Sequence, residues 1–289
     1  MKAIDISSPV IRYHGGKFRL ATWIIKHFPA HTCYVEPFGG AAGVLMRKPR
    51  SYAEVYNDID GQVVNLFRVI RNDSQLEALI SRLSFTPYAR AEFELAWEPC
   101  DDPIEMAARL IVRAQMGFSS AGATCGLTGF RTDTRRSYGT AQHLWTRFPN
   151  SLRAVGERLA GVLVENRPGL DVMAAHDMPT TLHYVDPPYL HQTRVRGQQP
   201  DRYYAHEMSD EQHMELLCGL KSLKGMVVLS GYRSELYQSS LADWTLILTK
   251  ALASGQSGNG EREECLWLNP ACSHNLTQLR LPLEWGVPA

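Results

Sequence analysis

Short apolar runs that stop at polar or turn-forming residues recur along the chain and predict the strands of an α/β protein. β-Branched and aromatic residues are frequent in these runs, and apolar residues recur at helical spacing between several of them. The predicted strands cover residues 32–38, 53–56, 161–165, 181–185, 226–230, 245–249 and 264–268. The predicted helices cover residues 19–28, 62–71, 152–159, 170–175 and 209–220, the last opened by a capping box at Ser209.

The pattern changes between residues 62 and 150, where helical spacing dominates and strand signals are sparse. We therefore expect a helical insertion at 62–150 within an α/β domain that is built from 1–61 and 151–289. Within the insertion, basic residues alternate with aromatic ones, a composition that can hold phosphates and contact bases. A solvated polar loop is the alternative. The candidate DNA-binding residues are Arg131, Arg135, Arg136, Tyr138 and Arg147, with Arg194 in a polar segment further on.

Composition narrows the classes of function. The formal net charge of the 289-residue chain is 0, so a nucleic acid would have to be held by local patches, and we expect the arginines from 131 to 158 to provide them. The 6 cysteines contain no C-x-x-C pair, which favours reduced thiols, a cytoplasmic location and no bound metal. No apolar run approaches membrane-spanning length, and the first residues lack the apolar stretch of a signal peptide, so we expect no membrane association.

The first predicted strand runs into a glycine-rich turn. Aligned on the dinucleotide fingerprint G-x-G-x-x-G, it reads Phe38-x-Gly40-x-x-Gly43, with Gly39 beside Gly40 and a phenylalanine in place of the first glycine. The missing glycine weakens a phosphate-binding interpretation and leaves an adenosyl ligand without phosphates open. We expect a helix to start at 44–46, directly after the turn.

The second strand ends in Asn57-Asp58-Ile59-Asp60. An acid at this point, about twenty residues past a glycine turn, is where the hydroxyl pair of a ribose is bound in such folds. Both aspartates qualify by position, but one of them can instead cap the following helix. Asp60 fits the cap better, which leaves Asp58 as the candidate ribose ligand.

The predicted strand 181–185 ends abruptly in Asp186-Pro187-Pro188-Tyr189. Because proline cannot donate to a sheet ladder, two in succession stop the strand and leave an acid at its carboxyl end, where open α/β sheets bind ligands. A carboxylate, a free carbonyl and an aromatic ring suit a planar base that carries an amino group. A strand end followed by a Pro-Pro turn is the alternative interpretation.

These motifs, together with Arg12-Tyr13-His14-Gly15-Gly16-Lys17 near the start of the chain, resemble the Dam-type family of DNA adenine methyltransferases in order and spacing. The resemblance covers most of the chain and implies a Rossmann-like, S-adenosylmethionine-dependent methyltransferase sheet with a helical target-recognition insertion. It also implies methyl transfer from S-adenosylmethionine to the exocyclic amino nitrogen of a flipped adenine in double-stranded DNA, including a role in restriction-modification. The segment 117–138 does not match the recognition hairpin of the family, so no recognition sequence is predicted.

The resemblance assigns roles to individual residues. Tyr13, which stands where many members have tryptophan, and Lys17 are placed at the cofactor, and Asp58 is placed on its ribose. The implied cofactor-binding residues are Tyr13, Lys17, Glu36, Phe38, Gly39, Gly40, Asp58 and Asp186. The implied catalytic residues are Asp186 and Pro187, whose carboxylate and carbonyl accept the two N–H bonds of the amine, and Tyr189, which stacks on the base.

Other readings of the same motifs differ in substrate. Methylation of the exocyclic amine of cytosine more often resembles Ser-Pro-Pro-Tyr, and methylation of a glutamine side chain resembles Asn-Pro-Pro-Tyr, so Asp186 favours adenine. RNA as substrate and a non-catalytic DNA-binding protein of the same fold remain alternatives. The expected partner is double-stranded DNA that contains the target adenine, bound by a monomer or a weak dimer.

Overall fold

A seven-stranded mixed sheet forms the centre of the part of the chain that is described, residues 6–118, 121–124, 128–132, 139–193, 204–252 and 261–278 of a computed structural model. Its strands are β1 (Cys33–Glu36), β2 (Ala53–Asn57), β3 (Val162–Glu165), β4 (Thr181–Val185), β5 (Met226–Gly231), β6 (Thr245–Leu252) and β7 (Glu261–Leu268). They lie in the order β3-β2-β1-β4-β5-β7-β6. The first five of that order are parallel, and β7 runs antiparallel to both of its neighbours. The predicted α/β class is confirmed.

Both faces of the sheet are covered, which explains why its central strands are apolar throughout. All residues of β4 and β5 are buried. Successive residues point to opposite faces, so Tyr34 packs into one hydrophobic cluster and Val35 into the other. The same alternation separates Tyr184 from Val185 on β4.

Helices cover the two faces and also form a layer of their own. The described helices are α1 (Ala21–Ile25), α2 (Gly61–Ile70), α3 (Asp73–Ser84), α4 (Arg90–Leu95), α5 (Pro103–Met116), α6 (Ala141–Leu159), α7 (Gly169–Ala175), α8 (Asp210–Ser222), α9 (Glu235–Ser240) and α10 (Pro270–Gln278). Helices α2 to α5 lie in the segment predicted to be helical, and α6 begins in it and continues past residue 150. The apolar faces of these helices share one core with one face of the sheet. The division of the chain into two domains stays a prediction. Across the described residues, none of the helices combines the length and hydropathy that a membrane span requires.

Local capping signals in the sequence agree with the observed helix starts. Asp60 accepts a hydrogen bond from the backbone N–H of Gln62 and begins α2, as predicted. The capping box of α8 is present, with the Ser209 and Gln212 side chains bonded to each other's backbone N–H. Each cap satisfies backbone donors that a helix start leaves without an intrahelical partner.

Two predictions about helices are wrong. The residues after the glycine turn form successive hydrogen-bonded turns and no helix, because the backbone N–H of Leu45 donates to the Glu36 carboxylate and not to the carbonyl four residues earlier. The helix predicted at 152–159 begins eleven residues earlier, at Ala141, where the Thr140 side chain caps the backbone N–H of His143. Pro149 lies within this helix on its buried face, where packing against the core offsets the lost hydrogen bond.

A candidate active site at the carboxyl ends of the parallel strands

A cleft opens at the carboxyl ends of β1, β2 and β4. The chain order reverses between β1 and β4, and ligands of open α/β sheets bind at such a switch point. The cleft brings together most of the predicted site residues, namely Tyr13, Lys17, Glu36, Phe38, Gly39, Gly40, Asp58, Asp186 and Pro187. Residues that are distant in the sequence meet here because parallel strands end at one edge of the sheet.

The glycine turn lies against residues 13–18 of the N-terminal segment, and two hydrogen bonds of Gly40 help to hold it. Gly40 has a φ of +47°, donates its N–H to the Asp58 carboxylate at 2.7 Å and accepts from the Tyr56 hydroxyl at 2.7 Å. A Cβ atom on Gly43 would lie 2.7 Å from the backbone nitrogen of Phe18. The absence of side chains here therefore lets the backbone around Lys17 pack directly on the turn.

Asp58 is buried next to the glycine turn and holds it through hydrogen bonds of its carboxylate. One carboxylate oxygen accepts from Gly40, and the other accepts from the backbone N–H of Asp60 at 2.8 Å. Burial raises the pKa of Asp58 to about 6, although both backbone hydrogen bonds act to lower it. Each oxygen of an ionised carboxylate has further lone pairs, so Asp58 can still accept hydrogen bonds from a ligand in the cleft.

Glu36, at the end of β1, is a second buried carboxyl group in the cleft wall. Its Oε2 accepts from the Tyr34 hydroxyl at 2.7 Å and from the backbone N–H of Leu45 at 2.9 Å. Burial raises its pKa to about 8 in spite of these two bonds, and the nearby Asp186 charge adds to the rise. A cationic ligand beside Glu36 would stabilise its ionised form.

Asp186 and Lys17 form a buried ion pair at the end of β4. The ammonium lies 3.1 Å from Oδ1 of the carboxylate and donates to the Gly15 carbonyl at 2.7 Å. Burial raises the pKa of Asp186, and the Lys17 charge acts against that rise. Burial alone would lower the pKa of Lys17, but the charges of Asp186 and Glu264 outweigh it and raise that pKa. The pair therefore favours an ionised carboxylate.

Tyr189 stands behind this ion pair and is not part of the described cleft lining. The Lys17 ammonium lies 4.7 Å from the centre of its ring. Its hydroxyl donates to Oε2 of Glu264 at 3.0 Å and lies 3.1 Å from Oγ of Ser230. Neither Ser230 nor Glu264 stands out in the sequence, because no local motif marks them.

The segment after residue 203 closes one side of the cleft and contains none of the predicted site residues. Tyr204, Ala205 and His206 line the cleft, together with His14 of the N-terminal segment. The rings of His14 and Tyr204 meet edge to face with centres 5.2 Å apart. The polar, aromatic character of 190–206 is the signal in the sequence that points to this contact.

The predicted DNA-binding residues fall into different surroundings. Arg147 is exposed on α6. Arg131 is only 6% exposed, and its Nε and Nη2 have no hydrogen-bond partner among the described residues. The remaining candidates lie outside the described residues, namely Arg135, Arg136, Tyr138 and Arg194.

The expectation that all arginines from 131 to 158 serve a DNA surface is wrong for Arg158. Its guanidinium is buried, and both terminal nitrogens donate to the Glu54 carboxylate, at 2.6 and 2.9 Å. Lys48 donates to the same carboxylate at 2.6 Å. Burial acts to raise the pKa of Glu54, but these two cations outweigh it and lower that pKa. Arg158 therefore joins α6 to β2 inside the core.

Comparison with known proteins identifies the family. Residues 13–254 match the family model described as D12 class N6 adenine-specific DNA methyltransferase. The DNA adenine methylase of Salmonella typhi is 24% identical over 263 residues, which cover 88% of this chain and 91% of that protein. The DNA adenine methylase of Escherichia coli strain K12 is 24% identical over 187 residues, which cover 62% of this chain and 64% of that protein. The Retron Ec67 DNA adenine methylase of Escherichia coli is 36% identical over 90 residues, or 31% of this chain and 28% of that protein. Because the family model spans most of the sequence and includes the whole cleft, this chain belongs to the D12 class N6 adenine-specific DNA methyltransferase family.

Proposed function

We propose that this DNA adenine methyltransferase takes its methyl group from S-adenosylmethionine and acts on an adenine that has left the DNA duplex. The observation that carries the proposal is the partly buried Asp186 carboxylate, which lines one cleft with the glycine turn and Asp58. A hydrogen-bond acceptor for an amine and a binding surface for an adenosyl ligand are thus adjacent.

The residues present fit S-adenosylmethionine better than a nucleotide that carries phosphates. Two buried carboxyl groups, Glu36 and Asp58, line the cleft. A cationic ligand stabilises their ionised forms, whereas a phosphate beside them is disfavoured by the charge of Asp58. When bound, S-adenosylmethionine supplies an electrophilic methyl group on a positively charged sulfur. Asp58 would accept hydrogen bonds from the ribose hydroxyls, and Glu36 would face the methionine ammonium. Tyr13 would cover the ligand, since its ring already packs against Gly40.

Asp186 and Pro187 would prepare the amine for transfer. The amino nitrogen of adenine is a weak nucleophile because its lone pair is delocalised into the ring. Carboxylate and carbonyl oxygens that accept its two N–H bonds favour a tetrahedral nitrogen and make the lone pair available. Only an ionised Asp186 accepts in this way, and Lys17 at 3.1 Å favours that state.

Tyr189 would hold the base once it has left the stack. Leaving the duplex costs a few kcal/mol, and stacking on an aromatic ring offsets part of that cost. The exposed Arg147 and the partly unsatisfied, buried Arg131 would contact DNA phosphates from the helical segment 62–150, which we propose as the target-recognition part. Arg135, Arg136, Tyr138 and Arg194 remain predictions for the same role.

A labelling experiment tests the proposal. The protein is incubated with labelled S-adenosylmethionine and DNA, RNA or protein, and the methylated product is identified. We expect N6-methyladenine in DNA from the wild type and from Asp210→Asn, a control at an exposed aspartate, and none from Asp186→Asn. Methylated cytosine, or label in RNA alone, would contradict the proposed substrate, and no label in any substrate would favour a non-catalytic protein. Mapping the modified adenines on a plasmid then supplies the recognition sequence.

A further inference from the structure

The hydroxyl group of Tyr189 is held by two buried side chains from the far side of the sheet. It donates to Glu264 at 3.0 Å and lies 3.1 Å from the hydroxyl oxygen of Ser230. Glu264 is 8% exposed and Ser230 is 2% exposed. Burial of a carboxylate is unfavourable unless it is paired or hydrogen-bonded, so the contact with Tyr189 contributes to its stability there.

The antiparallel strand β7 brings Glu264 to this position. Ser230 pairs with Leu266, and Gly231 pairs with Cys265. Because the strands are antiparallel, Glu264, which precedes Cys265 in β7, lies beyond the carboxyl end of β5. This is the same edge of the sheet at which β4 ends in Asp186. A parallel strand in this place would present its glutamate at the opposite edge.

The ring of Tyr189 is constrained at several points. Besides the two contacts of its hydroxyl, its ring and the ring of Tyr232 form a T-shaped pair with centres 4.6 Å apart and an interplanar angle of 76°. The Lys17 ammonium lies over the ring at 4.7 Å, on the side of Asp186. The ring therefore has one orientation relative to the carboxylate that accepts the amine.

A purely electrostatic role for Glu264 is the simplest alternative. Its charge is close enough to Lys17 and Asp186 to influence both, so it could serve only to balance the lysine. That role does not require a hydrogen bond to Tyr189. It also predicts that loss of Glu264 would weaken the binding of every DNA substrate to the same extent.

We infer that Glu264, together with Ser230, is a positioning residue for methyl transfer that holds the Tyr189 ring in the orientation on which the target base stacks. The inference rests on the proposed function, in which Tyr189 receives the base. It adds a specific requirement, namely an acceptor at position 264 for the phenolic hydroxyl.

Two DNA duplexes that carry the mapped recognition sequence separate base contact from the rest of binding. In one duplex the target adenine is left unpaired, and in the other the target nucleotide is abasic, so only the first presents a base to Tyr189. Stacking on an aromatic side chain changes affinity by about fivefold to about 100-fold when the ring is removed. We therefore expect Tyr189→Ala to weaken binding of the unpaired-adenine duplex by about fivefold or more and to leave the abasic duplex unchanged.

Glu264→Ala should reproduce part of this pattern, with about threefold to about fivefold weaker binding of the unpaired-adenine duplex alone, equivalent to one lost hydrogen bond. Glu264→Gln, which keeps an acceptor, should restore most of the affinity. Tyr189→Phe removes the same hydrogen bond from the other partner and keeps the Glu264 charge near Lys17, so it tests the inference even if Glu264→Ala does not fold. Adding Glu264→Ala to Tyr189→Phe should cause no further loss, because both changes remove the same contact. Glu263→Ala is the matched control, since Glu263 is 51% exposed on the same strand and pairs with Arg233.

The outcomes distinguish the role of Tyr189 as a platform for the base from its positioning by Glu264. If Tyr189→Ala weakens only the unpaired-adenine duplex while Tyr189→Phe and Glu264→Ala leave it unchanged, the positioning role is overturned and the base platform stands. If Glu264→Ala weakens binding of both duplexes equally, the positioning role is overturned in favour of a general electrostatic role. If Tyr189→Ala itself does not distinguish the duplexes, both the platform and its positioning are overturned. Methylation by the wild type but not by Asp186→Asn would still support the proposed activity.

Discussion

Replacing Lys17 by methionine tests whether the ion pair with Asp186 sets the pH range of methyl transfer. The substitution keeps the length of the side chain and removes its charge. At the observed separation of 3.1 Å, with 6% and 16% of the two side chains exposed, screening by water is weak. At an effective dielectric constant of about 20, the Coulomb energy of such a pair is about 5 kcal/mol, which is an upper limit for its effect.

The effect on the pKa of Asp186 is smaller than this limit but still large. An opposite charge at such a distance lowers the pKa of a carboxyl group by about 1 to about 3 units, and each unit corresponds to about 1.4 kcal/mol. Burial already raises the pKa of Asp186, and Lys17 opposes that rise. Without Lys17, we expect the pKa of Asp186 to rise further, because burial then acts without the opposing charge.

The assay is the single-turnover rate of methyl transfer as a function of pH, with saturating donor and DNA. The proposed mechanism requires an ionised Asp186, so the rate rises as the pH increases through the pKa of that group. We expect the acid limb of the profile to move to higher pH in Lys17→Met and to stay in place in Lys26→Met, a control at an exposed lysine. A lower rate with an unmoved acid limb would refute the electrostatic reasoning and leave Lys17 only a role in binding.

Further expectations concern the cofactor, the turn and the helical layer. Affinity for S-adenosylmethionine, measured by calorimetry, should fall as the pH drops through about 6, where Asp58 gains a proton, and Asp58→Asn should abolish this dependence. Gly43→Ala places a Cβ atom 2.7 Å from the Phe18 backbone and should lower the free energy of unfolding by about 1–3 kcal/mol, whereas Gly129→Ala, with nothing within 4 Å, should be neutral in the same denaturation experiment. Arg158→Ala removes one of the two cations that donate to the buried Glu54 carboxylate and should lower that free energy by about 3 kcal/mol, since Lys48 remains as a partner. Arg147→Ala should preserve stability and reduce the salt slope of DNA binding by about 1. Equal unfolding energies for the two arginine variants, or an unchanged salt slope, would contradict these assignments.

The features of the site that the sequence predicts correctly are determined by residues that are adjacent in the sequence. The strand bounds of β4, Thr181–Val185, follow from an apolar run that two prolines end. The cap at Asp60 follows from the preference of aspartate for the first position of a helix. Asp58 and Asp186 then meet in one cleft because each follows a strand of the same parallel sheet, and such strands end at one edge.

The glycine turn marks a limit of local patterns. A glycine-rich stretch followed by apolar residues predicts a helix start, as in dinucleotide-binding folds. In this protein the carboxylate of Glu36 accepts the Leu45 N–H, and Ala42 has a positive φ, so the chain continues in turns. These constraints come from a buried acid on the preceding strand, which the pattern of apolar positions does not include.

What the sequence determines by itself is therefore the identity of the strands, their terminal acids and the family to which the motifs point. Only the tertiary structure assigns Glu264 to Tyr189, 75 residues away, and Arg158 to Glu54, 104 residues away. The first contact exists because β7 enters the sheet antiparallel between β5 and β6, and the second because α6 ends beside β2. Strand order and helix docking are set by the packing of the whole core, so side chains without a local motif acquire their partners only when the chain is folded.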